Sequence, residues 1–135
     1  MNLVRCTAAI TLVLLQYGCT STPTPLPAPP ESSAIAVRHN AEGITHYEMG
    51  HWPDARAHFT SAIEADPNLA EYHFNLALTL DKLGLHAEAT AHFKRAAELA
   101  PANPAIVHSS AYRSHTAPPS PSSYGPGGYG GMGGY

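Results

Sequence analysis

Residues 50–67 read GHWPDARAHFTSAIEADP, and residues 84–101 read GLHAEATAHFKRAAELAP. The second stretch is the first displaced by 34 positions: Gly50 falls on Gly84, Ala55 on Ala89, Phe59 on Phe93, Ala62 on Ala96 and Pro67 on Pro101. The same displacement pairs His39 with His73, Thr45 with Thr79, His58 with His92 and Glu64 with Glu98. Ala55, Phe59 and Ala62 stand at i, i+4 and i+7, which is one face of an α-helix. Alanines there let two helices approach closely, and the phenylalanine fills the space between them. Gly50 and Gly84 suit the left-handed backbone that ends a helix. Pro67 and Pro101 cannot continue a helix interior and force a break.

A repeat of about 34 residues with this order of residues resembles the tetratricopeptide repeat, a helix–turn–helix unit. The small residue that the pattern wants in the first helix is Gly43 in one copy and Ala77 in the other. Where the family carries larger apolar residues in that helix, the first copy has His39, Glu42 and His46, and the second has His73, Leu76 and Leu80. The resemblance implies an all-α fold, a short α-solenoid of two repeats over 36–69 and 70–103, within a module spanning 35–114. Helices are expected over about 34–49, 53–66, 70–83 and 87–99, with Pro53 in the first turn of the second. Two stacked repeats bury little surface, and such arrays generally need at least three units. A capping helix over 104–114, opened by Pro104-Ala105-Ile106-Val107, is expected to cover the exposed face. A homo-oligomer or a bound protein would serve the same end.

The resemblance also implies a concave face lined by the first helix of each pair. It assigns that face Val37, Asn40, Ile44 and Tyr47, then Glu71, Phe74, Leu78 and Asp81. Ile44, Phe74 and Leu78 would be its apolar anchors, and each could equally be a core residue. Some family members grip a C-terminal carboxylate here with lysine and asparagine. Asn40 and Asn75 are present but no Lys or Arg stands at the gripping positions, so no such clamp is expected.

Little in the chain points to chemistry. Nine histidines are many for 135 residues, but no two are three or four apart, the spacing of a helical metal pair. The repeat could bring His39 near His73 and His58 near His92; the simpler reading is duplicated surface histidine. No nucleophile–base–acid set, phosphate loop or metalloprotease motif occurs. No catalytic residue, metal site or cofactor is therefore expected. Lys and Arg total 7 against 10 Asp and Glu, for a net charge of −3, which argues against nucleic acid as a partner.

The ends read differently from the middle. Arg5 precedes an uncharged apolar run, Cys6–Leu15, which is too short to span a bilayer and fits a secretory signal over 1–18. Leu15-Gln16-Tyr17-Gly18-Cys19 resembles a bacterial lipobox, with Gly18 before Cys19 and Gln16 where leucine is preferred. That resemblance implies a lipid anchor on Cys19 and, from Thr20, the periplasmic side of an outer membrane; the alternative is a soluble exported protein. No cysteine follows Cys19, so the module would fold without disulfides. Residues 19–34 contain Pro23, Pro25, Pro27, Pro29 and Pro30 and read as a Thr/Pro-rich tether standing the module some tens of ångströms off the membrane. Residues 115–135 pass from Pro/Ser-rich to YGPGGYGGMGGY and are expected to be disordered. The sequence thus predicts a non-catalytic protein–protein interaction scaffold or assembly factor of the cell envelope. The alternative is a structural or adhesive protein that self-associates through Tyr124, Tyr129 and Tyr135, with the repeats as spacer.

Overall fold

The structure, a computed structural model, describes residues 23–118. The expected signal sequence, Cys19 and the Gly/Tyr-rich tail lie outside the described residues. Among the described residues six helices follow in order: α1 Ala34–Glu48, α2 Trp52–Ala65, α3 Ala70–Lys82, α4 His86–Leu99, α5 Pro104–Val107 and α6 Ser110–Thr116. The four long ones lie within a residue of the expected bounds. α1 pairs with α2 and α3 with α4; α2 joins the pairs through α3, and α5 and α6 close over α4. Among the described residues no helix is long and apolar enough to cross a membrane.

The same device makes both intra-repeat turns. Gly50 has φ +78° and Gly84 has φ +75°, the left-handed backbone that side chains disfavour. It lets the His51 amide reach back to the His46 carbonyl at 2.9 Å and the Leu85 amide to the Leu80 carbonyl at 2.9 Å. Each bond satisfies a carbonyl that the end of the helix leaves orphaned. α2 then starts with proline in its first turn.

The core is built from the duplicated residues. Ala55, Phe59, Ala62, Ala89, Phe93 and Ala96 are all fully buried. Phe59 lies under Gly43: a methyl placed there would stand 2.6 Å from its Cε1, so glycine is what lets α1 and α2 close on the ring. Phe93 meets Phe74 edge-on, with centroids 5.7 Å apart. α3 is buried all round from Tyr72 to Leu80, as befits a helix with neighbours on every side. α1, at the end of the stack, buries only Ala36, Asn40, Gly43 and Tyr47.

Two expectations need correction. The cap is two short helices rather than one. Ser109 breaks the chain by capping α6, its Oγ accepting from the Tyr112 amide at 3.1 Å, as Asn103 caps α5 through the Ala105 amide at 3.0 Å. Fully buried Ile106 anchors α5 to the main core. The Thr/Pro-rich stretch is also not a free tether where it is described. From Pro23 onward it lies against the repeats, with Pro25 buried and Leu26 packed on the core.

Candidate peptide groove

The groove between α1 and α3 is occupied by residues 23–29 of the same chain. Proline at every second position shapes this segment. Thr24, Leu26 and Ala28 each precede a proline, which steers them to extended backbone. The landmarks agree. Tyr47 Oη donates to the Pro23 carbonyl at 3.5 Å, Asn40 Nδ2 to the Leu26 carbonyl at 3.1 Å, and Ala28 packs on the cluster holding Ala36. Tyr47 to Ala36 is eleven residues of helix, about 16 Å at a rise of about 1.5 Å. Pro23 to Ala28 is five residues, about 16 Å at the polyproline rise of about 3.1 Å. The segment therefore runs extended and antiparallel to α1.

Two asparagines read its backbone. The Leu26 amide donates to Asn75 Oδ1 at 2.6 Å. Asn75 Nδ2 donates to the Leu26 carbonyl at 2.8 Å and to Asn40 Oδ1 at 2.8 Å. Asn40 and Asn75 are at most 1% exposed, and this network satisfies both. A neutral amide pair suits the task, since a peptide group offers one donor and one acceptor side by side and no charge.

The expected groove residues divide. Asn40 and Tyr47 touch the segment directly, while Val37 and Ile44 are half-buried on α1. Burial, and after it the Asp81 carboxylate, pushes the Tyr47 hydroxyl above its ordinary pKa. Phe74 and Leu78 are each 2% exposed, so they belong to the main core rather than to a free anchor surface. Glu71 accepts from Asn103 Nδ2 at 3.3 Å. Asp81 holds His115 Nε2 at 2.8 Å and His86 Nδ1 at 3.1 Å, tying α6 to the repeats. Beyond the segment's start lies a hollow lined by Pro23, Thr24, Pro25, Tyr47, Glu48, Trp52 and Lys82. Asn75, central to the grip, is named beside Asn40 as a clamp asparagine but not among the lining residues; its neutral side chain amid an apolar helix was the available signal.

His39 lies by His58 and His73 by His92, each pair within one repeat, rather than across repeats as the 34-residue displacement allowed. His73 Nδ1 lies 3.1 Å from His92 Nδ1, and His73 Nε2 lies 3.0 Å from the Pro67 carbonyl. That carbonyl can only accept, so His73 carries its proton on Nε2 and its bare Nδ1 accepts from His92. Burial is the first cause that lowers both pKa values.

Residues 40–104 match the family model of the tetratricopeptide repeat. The helix pairs α1–α2 and α3–α4 pack as two such repeats would. Neither a curated protein nor a solved structure matches the chain. Tetratricopeptide repeats generally mediate protein–protein interaction, through the concave surfaces that stacked helix pairs create, and are typically non-catalytic. The matched span holds the groove residues from Asn40 onward but not residues 23–29 that fill it.

Proposed function

We propose that this chain is a non-catalytic binding scaffold of the bacterial cell envelope. Its groove takes an extended, proline-containing peptide strand, and its own residues 23–29 are the resident ligand. The observation that carries this reading is the grip on both backbone groups of Leu26 by Asn75, backed by Asn40. A strand of alternating prolines is already extended, so little conformational freedom is lost on docking. Export and a lipid on Cys19 belong to the same proposal, supported by the apolar run Cys6–Leu15 and the Gly18-Cys19 pair.

The test uses the full chain and a variant with residues 23–30 replaced by Gly and Ser. A fluorescent PTPLPAPP peptide is titrated into each. The replaced chain should bind it. The native chain should bind at least tenfold more weakly, because a ligand tethered to α1 by four residues competes at an effective concentration on the order of millimolar. A replaced chain that stays helical yet ignores the peptide would sink the proposal. For partner identification in cells, a photo-cross-linker belongs at half-buried Ile44 rather than at buried Leu78.

A further inference from the structure

The two repeats supply an internal comparison. In the second, His73 and His92 satisfy each other and the Pro67 carbonyl, beside buried Leu76 and Leu80. In the first, the corresponding His39 and His58 have ring centroids 5.9 Å apart, and the leucines are replaced by Glu42 and His46. Glu42 Oε2 lies 3.2 Å from His58 Nδ1 and 3.4 Å from His39 Nδ1. One ligand atom from each of the three residues lies within 4.8 Å of both others. We propose that His39, Glu42 and His58 form a binding site for a borderline divalent metal ion of the zinc class, a site the second repeat lacks.

The geometry fits such an ion. Zinc with bonds of about 2.0–2.1 Å in a tetrahedral site places neighbouring ligand atoms about 3.3 Å apart. Two of the three separations stand at that value already. Two imidazoles and one carboxylate are a donor set suited to zinc, nickel, cobalt or copper, and they leave a coordination position for water. Ordinary ion pairing accounts for the contacts less well. At Asp81, both histidine contacts are aligned hydrogen bonds. At Glu42, His39 Nδ1 is buried with no hydrogen-bond partner among the described residues, despite the nearby carboxylate. His46 Nδ1, on the ring stacked against His58 at 5.1 Å, is likewise buried and unpartnered. Glu42 is 44% exposed, which gives an ion access from solvent.

The test is calorimetric titration of Zn2+ into the full chain, without a histidine tag and with Cys6 and Cys19 alkylated. One ion per chain is expected. Glu42→Leu, which installs the residue found at the matching position of the second repeat, should weaken binding at least tenfold, and so should His58→Gln. His86→Gln, in the Asp81 set, should leave it unchanged. Circular dichroism checks the fold of each variant; should Glu42→Leu fail to fold, His58→Gln decides alone. The proposal fails if the native chain binds no zinc above background, if Glu42→Leu and His58→Gln bind as the native chain does, or if only His86→Gln abolishes binding.

Discussion

Asn40→Ala tests the grip on the segment without touching the amide that reports on it. The substitution deletes the bond from Asn40 Nδ2 to the Leu26 carbonyl and the bond from Asn75 Nδ2 to Asn40 Oδ1. The Leu26 amide keeps its own acceptor, Asn75 Oδ1. A buried hydrogen bond contributes about 1 kcal/mol net, and only the bond to Leu26 joins Asn40 to the segment, so docking should weaken by about 1 kcal/mol. At about 1.4 kcal/mol per decade, local opening at Leu26 should become about fivefold more frequent. The assay is amide hydrogen exchange followed by NMR on the full chain, with the α3 amides as the measure of global opening. In the native chain the Leu26 amide should exchange well below the rate of a free peptide. The reasoning fails if it exchanges at the free-peptide rate there. It also fails if Asn40→Ala changes it less than about threefold, or only in step with α3.

Other outcomes follow from the core and the histidine pair. His73 and His92 have lowered pKa values in the fold, so below the ordinary value of about 6.5 the unfolded chain binds more protons and stability falls as pH drops toward the folded values. Each contributes a slope of up to about 1.4 kcal/mol per pH unit, and thermal melts from pH 7 to 5 should show a shallower dependence in His92→Gln. Gly43→Ala should destabilise the fold by up to about 2 kcal/mol in denaturant melts, because displacing Phe59 outweighs the gain of about 1 kcal/mol in helix propensity. An unchanged or raised midpoint would show that the ring moves freely. Ile106→Ala should cost about 2–5 kcal/mol if α5 is an integral cap, read as a lowered urea midpoint with α4 amides exchanging faster.

The repeat was legible because each of its marks has one physical meaning. Gly50 and Gly84 do adopt positive φ, and Phe59 and Phe93 are buried where the i, i+4, i+7 pattern put them. The occupied groove was not legible. Proline composition reports local stiffness, and nothing local tells a stiff spacer from a stiff ligand. The deciding contact joins Leu26 to Asn75, 49 residues apart. The nearness of His39 to His58 was not legible for a related reason. A search for histidine pairs along one helix overlooks Glu42, which stands three residues after His39 and faces His58 from the next helix. The break at Ser109 was readable in principle, as a serine placed to cap a new helix.

The seat of Leu26 also sets a length. Fully extended chain spans at most about 3.6 Å per residue. From Cys19 to Pro23 is four residues, or about 14 Å at that limit. From Cys19 to Ala34, where α1 starts, is fifteen residues, or about 54 Å at the same limit. With the proposed lipid on Cys19, a groove holding its own strand would keep the repeats drawn in against the bilayer. A competing ligand that evicts the strand would pay the leash out more than threefold. Occupancy of a site a few ångströms across would then be read as height above the membrane, and so as which neighbours the repeats can touch.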